Sequence, residues 1–464
     1  MPPKPQDQSA FEMFRSHFDQ LLNPDHELIQ LARKIDWRRF EVAFKDCYCE
    51  DDGAPAKATR LMVGLQYLKY TFNESDESVV ERWVENPYWQ YFCGFTHMQH
   101  ECPIHPTSLT KWRKRVGAER LELLLKETLR VAVQEKYAKP KDFERVIVDT
   151  TVQEKNITYP TDSKVLYRAI SKLAASARRN GIRLRQSYVR VGKIASVKAA
   201  RYAHAKQFKR MRRELRRLRT WVGRLIRDIQ RSGRPIDDHL TRLLGLAERI
   251  RTQQPQDSNK LYSLHEPEVQ CISKGKAHKR YEFGQKIGVA TTQRGNWIAA
   301  AKLFTKNPYD GHTLTRQLDT VERITEVAIT DAYVDKGYRG HGYTGPAQVH
   351  VAGQDERNLG RAERKRRRRR SAIEPKIGHL KSDNRMDRCF LWGLGGDAIN
   401  AVLAAAGSNM RKLLRRLYFA LFFDVTHVVG AIVAACRRLR QRIETAADPL
   451  NRLAARGLAP SFTA

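Results

Sequence analysis

The stretch Arg370-Ser-Ala-Ile-Glu374-Pro-Lys-Ile-Gly-His-Leu-Lys381 places an arginine four residues before a glutamate and a lysine seven residues after it. On a helix, those offsets stack the three side chains on one face. Pro375 would kink such a helix or occupy its first turn. A carboxylate with cations one and two turns away suits an acid that stays ionised, holds a divalent metal and lies beside a phosphodiester. Two aspartates upstream complete an oxygen donor set. Asp149 ends the apolar, strand-like run Val146-Ile-Val-Asp149, and Asp335 lies in Ala332-Tyr-Val-Asp335-Lys-Gly-Tyr-Arg-Gly340, where a strand pattern breaks at glycine. Gly337 would permit the turn that aims Asp335. Phosphodiester displacement builds negative charge on the entering and leaving oxygens, and two divalent ions about 3.5 to 4 Å apart stabilise both. Asp331, Asp383 and Asp387 stand close enough in sequence to substitute, and any one of these acids read alone is an ordinary surface carboxylate.

The elements that must position these groups alternate. Strand patterns at Val146–Asp149, Lys286–Ala290, Trp297–Phe304 and Val327–Val334 are interleaved with helical ones, including Thr313–Thr325, so an α/β core is expected. The segment Thr150–Tyr159 alternates well enough to turn into a second extended piece. Residues 1–118 read as helical: Ala56–Phe72, then Val79–Glu85 capped by Ser75 or Asp76, then Leu109–Val116 capped by Thr107 or Ser108. A leucine-rich helix, Leu121–Lys136, follows. Lys111, Arg113, Lys114 and Arg115 crowd the helix before it and mark it for DNA contact; the bland alternative is an ordinary helical subdomain.

Between the first two aspartates the chain changes character. Residues 164–231 hold 22 lysines and arginines against Glu214 and Asp228 alone. Leu215, Leu218, Val222, Leu225 and Ile229 recur at helical spacing, and a second helix, Ile236–Thr252, follows Gly233-Arg-Pro235, which predicts a helical hairpin with a cationic face. Such a face fits a clamp on DNA; a solvated charged surface or an oligomerising coiled coil is the competing reading. The run Arg364–Arg370 consists of seven consecutive cations directly before Glu374 and is placed to neutralise backbone phosphates.

The formal net charge of +34 and pI near 10.1 point to a polyanionic partner. A polybasic membrane-surface protein is the bland competitor, but nothing resembles a lipidation site or an N-terminal apolar signal. The apolar run Leu417–Cys436 is interrupted by Asp424 and His427 and reads as a buried or oligomer-forming helix. Seven cysteines without paired clamps favour a reducing cytoplasm. His97, His100, Cys102 and His105 cluster, yet their spacing fits no common zinc site. No GxxxxGK[ST] loop is found, which disfavours ATP-driven remodelling.

The order Asp149, Asp335, Glu374, with Arg370 and Lys381 around the glutamate, resembles the DDE triad of insertion-sequence transposases of the IS5 type, within the wider IS4-like group. Val148–Asp162, Asn307-Pro-Tyr-Asp-Gly-His312, Asp335-Lys-Gly-Tyr-Arg-Gly340 and Gly396-Asp-Ala-Ile-Asn400 match as well, and the similarity runs from about Phe11 to about Arg416. One position departs: Arg367 stands where the group's signature has tyrosine, and a guanidinium could replace its hydrogen bond to phosphate. The resemblance implies a ribonuclease-H-like α/β core (119–163 and 261–416), an N-terminal helical DNA-binding domain (1–118), the basic helical insertion (164–260) and a C-terminal helical extension (417–464). It implies Asp149 as the bridging metal ligand, with Asp335 and Glu374 on one ion each. The ions would be magnesium, two per site, with manganese as substitute. Arg370, Lys381, Arg367, Lys336 and Arg339 would hold DNA phosphates. The implied partners are double-stranded DNA, as terminal inverted repeats and target, and a second copy in a synaptic homodimer, in the cytoplasm at the nucleoid. The implied reaction is cleavage at the element's 3′ ends and transfer of the exposed hydroxyls to target DNA. Two alternatives remain: a nuclease of the same fold without strand transfer, and a catalytically silent DNA-binding or architectural descendant. A tyrosine recombinase using Tyr338 beside Arg339 is a weaker third.

Overall fold

The computed structural model describes residues 16–48, 55–273, 280–354 and 359–420. The chain opens with helices α1 (Phe18–Leu21), α2 (Glu27–Lys34), α3 (Trp37–Phe44), α4 (Thr59–Phe72), α5 (Asp76–Glu85), α6 (Pro87–Phe92) and α7 (Pro106–Gln134). Helix α4 is buried around its circumference, with Leu61, Val63, Leu65 and Leu68 all 1% exposed or less, so it forms the centre of this region. Ser75 caps α5 in a reciprocal capping box with Ser78. The cap of α7 is His105, not Thr107 or Ser108, because Pro106 takes the first helical position, where no backbone donor is needed. The two helices expected around residue 118 are two arms of α7 joined at Gly117, whose φ of 79° breaks the helical path.

The sheet contains β1 (Arg145–Lys155), β2 (Gln270–Ser273), β3 (Tyr281–Thr292), β4 (Ile298–Phe304), β5 (Asp331–Val334), β6 (Gln348–Val351) and β7 (Arg388–Cys389). Its order is β2-β3-β1-β5-β6, with β4 also on β3 and β7 also on β1. Strand β3 runs antiparallel to β1, β2 and β4, whereas β5, β6 and β7 run parallel to β1 through β5 or directly. The fold is therefore a mixed α/β one with a helical N-terminal region. The turn expected after Asp149 does not form. Strand β1 continues to Lys155 because β3 supplies partners as far as Glu154, which pairs with Gly284.

The basic insertion is not a hairpin. It comprises α8 (Asp162–Arg179), α9 (Val189–His204), α10 (Phe208–Arg231) and α11 (Asp238–Thr252), which enclose a separate core containing Leu166, Ile170, Leu173, Leu218, Val222, Leu225, Leu240 and Ala247. Apolar positions on α8, such as Val165, Leu166, Ala169 and Ile170, bury against α10 and α11, and so α8 joins the bundle.

After the insertion come α12 (Asp310–Thr325), α13 (Arg361–Arg368), α14 (Ile373–Asp383) and a helix spanning 393–420. A short 3-10 turn, Arg369–Ala372, separates α13 from α14, and Pro375 falls within the first turn of α14, where its missing N–H costs no helical hydrogen bond. The N-terminal helices, the sheet and helix 393–420 share one hydrophobic core. Tyr70 of α4 donates its hydroxyl to Asn400 (2.9 Å), and Asn384 donates to the Tyr70 carbonyl (2.8 Å), tying the first region to the last. Among the described residues no helix is long and apolar enough to cross a membrane. The run Leu417–Cys436 lies outside the described residues from 421 onward.

Candidate active site

Parallel pairing of Val148 with Val334 brings Asp149 and Asp335 to corresponding positions, each one residue further along neighbouring strands about 5 Å apart. Strand pairing on both sides of β1 fixes the first aspartate, while Asp335 follows the end of β5 directly. The backbone N–H of Thr150 donates to Asp149 Oδ1 (2.7 Å). Glu374 stands in the first turn of α14, where the helix dipole favours a carboxylate.

Arg370 connects the later two acids. Its Nη2 lies 3.1 Å from Glu374 Oε1, its Nη1 lies 3.7 Å from Asp335 Oδ1, and the arginine side chain is only 17% exposed. The four-residue offset from arginine to glutamate thus survives the intervening 3-10 turn. Lys381 sits two turns further along α14 and is half-buried. Among the described residues, no three histidine, cysteine, aspartate or glutamate side chains converge as a metal cage. A guanidinium shared by Asp335 and Glu374 places positive charge between these two carboxylates. The donor set fits a divalent ion in kind, being three carboxylates, two of them at corresponding positions of adjacent parallel strands.

A fourth acid was missed. Asp310, at the start of α12, accepts from Lys286 Nζ (2.8 Å) and from Thr150 Oγ1 (2.8 Å). It lies within the Asn307–His312 stretch, but nothing in that motif announces a lysine 24 residues upstream. Tyr338 is 1% exposed; burial, then the charges of Asp149 and Asp310, push its hydroxyl pKa well above the usual value. Burial keeps this hydroxyl away from a phosphate arriving at the surface, which counts against the tyrosine-recombinase reading. Gly337 has an ordinary negative φ within the 3-10 turn Lys336–Tyr338, so it does not supply a left-handed bend; the space above it faces Asp310.

Arg367 turns inward. It donates to the Gln354 carbonyl (2.5 Å) and to His350 Nδ1 (3.3 Å), and its Nε lies 3.6 Å from Glu363. His350 in turn bonds Asp331 through Nε2 (2.8 Å) and stacks on Tyr333 at 4.7 Å. Protein partners therefore occupy the guanidinium that the sequence assigns to phosphate. Asp331 is likewise committed, to His350 and Arg145, and Asp383 to His379 and Arg411. A cavity of about 230 Å³ beside Asp335 is lined by Arg364, Arg367, Arg368, Arg370 and His350.

Other expected contact residues divide by exposure. Lys336, Arg339, Lys111, Lys114 and Arg115 are exposed. Arg113 is not: it is 2% exposed and holds Asp76 through both terminal nitrogens (2.8 and 2.5 Å), so it fastens α7 to α5 and does not face DNA. His97 is buried beside Thr96 and His105 caps α7, which accounts for two members of the histidine cluster without zinc. Cys47, Cys93, Cys102, Cys271 and Cys389 are free thiols. Sequence reasoning also missed a basic cluster behind α14. Lys412 lies 4.2 Å over the Trp297 ring; burial and then Lys376 push its pKa down to about 7, while burial and then Arg415 push that of Lys376 down to about 8.

A family model described as a transposase domain, DUF772, matches residues 16–115, and one described as a transposase DDE domain matches residues 346–414. The second span contains Arg367, Arg370, Glu374 and Lys381; Asp149 and Asp335 lie outside both. A protein of Rhizobium meliloti named "Uncharacterized protein ORF8 in nfe locus" is 53% identical over 197 residues, covering 42% of this chain and 95% of the relative. No solved structure matches the chain. Transposase matches at both ends of the described chain, with the glutamate and its arginine and lysine inside the DDE segment, support a DDE transposase.

Proposed function

We propose that this transposase, of the IS5 type, binds the terminal inverted repeats of its element as a dimer, cuts at the 3′ ends and joins them to target DNA at one site built from Asp149, Asp335 and Glu374. The observation that carries this reading is the placement of Asp149 within β1 and of Asp335 just past the end of its parallel neighbour β5 at the corresponding position, with Arg370 bridging from Asp335 to Glu374. The strand order β4-β3-β1-β5-β6, with only β3 reversed, supports a ribonuclease-H-like core, since that arrangement sets the first acid on the central strand and the second on its parallel neighbour.

Divalent magnesium, or manganese in its place, would supply charge stabilisation for the entering and leaving oxygens. Asp149 would hold both ions, Asp335 one and Glu374 the other. Arg370 would exchange its carboxylate partners for a phosphate of the cleaved strand, keeping two-pronged contact. Lys381, Lys336 and Arg339 would grip neighbouring phosphates, while Lys111, Lys114, Arg115 and the cations of α8 to α11 would add salt-dependent affinity along the duplex.

The deciding experiment incubates labelled element-end duplex with the protein and magnesium or manganese, comparing wild type with Glu374→Gln. Metal-dependent cutting and joining, lost in the variant while end binding persists, is the expected result. Cutting without joined product would replace this reading with that of a nuclease. Binding with no strand chemistry in either protein would establish an architectural DNA-binding role.

A further inference from the structure

From the end of β7 into the start of helix 393–420 the chain reads Phe390-Leu-Trp392-Gly-Leu394, and its backbone is held from below while its largest side chains remain outside. Gly393 is gripped at both main-chain groups: its N–H donates to Glu266 Oε2 (3.1 Å) and its carbonyl accepts from Lys155 Nζ (3.1 Å). Lys155 also pairs with Glu266 (3.3 Å) and Asp397 (3.0 Å), and all three side chains are 4% exposed or less. Gly393 has φ +67°, so the bend that turns the segment outward suits glycine. Beneath it, Cys389 is fully buried. Above it, Trp392 is 76% exposed and Phe390 56%. Two large aromatic rings fixed in water on a rigid mount add little to the core, and a face of this kind marks a binding surface.

The surrounding charge selects the partner. The Arg385 guanidinium lies 5.7 Å from the Phe390 ring, and Arg388 is exposed two residues before Phe390. His265 meets Trp392 edge-on at 6.2 Å. Arg168 and Lys172 of α8 stand near enough to His265 that, after burial, they are the main influences lowering its pKa. Asp387 and Glu268 are the opposing acids nearby; Glu266 and Asp397 are already paired with Lys155. Aromatic faces ringed by guanidinium and ammonium groups match a polyanion that also carries flat π-systems.

We propose that Phe390 and Trp392 form a stacking platform for unstacked DNA bases, with Arg385, Arg388, Arg168 and Lys172 taking the adjoining phosphates. The proposal rests on the DNA reading above and adds a site that binds bases where the others bind backbone. Strand β7 pairs with Glu154 and Lys155, so the platform is mounted about 20 Å along β1 from Asp149, on the order of six base-pair rises. Base–aromatic stacking is sequence-tolerant and requires an exposed base face, so the platform engages DNA that is gapped, frayed or pried apart.

The test uses full-length protein and two duplexes of equal length, one fully paired and one with an internal unpaired run containing the fluorescent base aminopurine. Wild type is expected to prefer the gapped probe and to quench its aminopurine. Trp392→Ala should lose about 5- to 100-fold of affinity for that probe together with the quenching, while Trp392→Phe retains most of both and Phe390→Ala falls between. Because these side chains are exposed, unchanged circular dichroism and melting temperature are expected for each variant. Trp392→Ala binding both probes as wild type does would overturn the platform alone. Unchanged probe preference with a fall in mass by light scattering would also overturn it, assigning the face to contact between copies. Wild type binding neither probe would overturn both this proposal and the DNA reading beneath it.

Discussion

Arg370 and Glu374 are bound at 3.1 Å, and the same guanidinium reaches Asp335 at 3.7 Å, so one arginine holds the second and third acids of the triad in a common position. Arg370→Lys keeps the charge but not the fork, since an ammonium cannot serve two carboxylates or a phosphate in fixed planar geometry. Cleavage of end DNA is expected to fall about tenfold in Arg370→Lys and about a hundredfold or more in Arg370→Ala, with end affinity changed less than tenfold. Single-turnover cleavage set beside a binding titration measures both. A cleavage rate in Arg370→Ala within twofold of wild type would show that the bridge has no part in the reaction.

Much of this arrangement is legible in the sequence because it is local. The offset of four residues between Arg370 and Glu374 and the apolar run ending at Asp149 each lie within one element. What stayed hidden depends on partners far along the chain. Asp310 finds Lys286 across 24 residues, Arg113 finds Asp76 across 37, and Lys155 finds Asp397 only after the sheet and the last helix assemble. Arg113 sits among exposed cations on α7, and helical position alone did not separate the one arginine that points inward. The extent of β1 was equally non-local, since β3 decides where it stops.

The Asp310–Lys286 pair separates support from catalysis. Lys286 is 8% exposed and donates to both Asp310 and the Pro308 carbonyl. Asp310→Asn leaves its ammonium without a counter-charge, at an expected cost of about 1–3 kcal/mol. Lys286→Met in the same chain should recover part of that loss, because the orphaned charge is gone. Urea unfolding of the two single variants and the double variant gives the coupling; strict additivity would mean that the pair does not act as a unit.

Arg113 and its exposed neighbours should respond differently. Burial alone would raise the Asp76 pKa, but hydrogen bonds and charge from Arg113, with Lys69 beside it, hold it well below the usual carboxylate range. Arg113→Ala leaves that carboxylate with Lys69 alone (2.7 Å) and is expected to lose about 1–3 kcal/mol of stability. Lys111→Ala and Lys114→Ala should leave stability within about 0.5 kcal/mol and lower the slope of log affinity against log salt by about one each, the mark of a lost phosphate contact. A salt slope untouched by both lysine variants would remove α7 from the DNA interface.

Glu266 predicts a pH dependence. It is 3% exposed, and burial raises its pKa to about 7 despite Lys155 beside it. An acid whose folded pKa lies above its unfolded value contributes stability that is full below about pH 4.5 and is lost as pH rises through about 7. Wild type should therefore lose up to about 2 kcal/mol relative to Glu266→Gln between pH 5 and pH 8, a window set by the raised pKa. Urea midpoints of the two proteins at both pH values provide the comparison. A difference that stays constant, or that widens in favour of wild type at pH 8, would mean that Glu266 is ionised throughout this range.

Gly407 couples the first helical region to the triad by shape. A β-carbon there would sit 2.6 Å from the backbone carbon of Tyr70, with its Cβ as close and its carbonyl oxygen at 2.7 Å, so helix 393–420 crosses α4 at a separation only glycine permits. Backbone cannot rotate away as a side-chain tip can. Gly407→Ala should push the helices apart at a cost of about 1–3 kcal/mol or more. Tyr70 also receives Asn384 just beyond the end of α14, so the displacement should reach the helix that carries Glu374 and lower cleavage along with stability. Gly245 in α11 is the control, because a β-carbon there meets nothing within 4 Å. Gly245→Ala should stabilise the insertion by up to about 1 kcal/mol through helix propensity and leave cleavage unchanged. Equal unfolding midpoints for the two variants would show that the α4 crossing tolerates a methyl group and that the triad does not depend on its closeness.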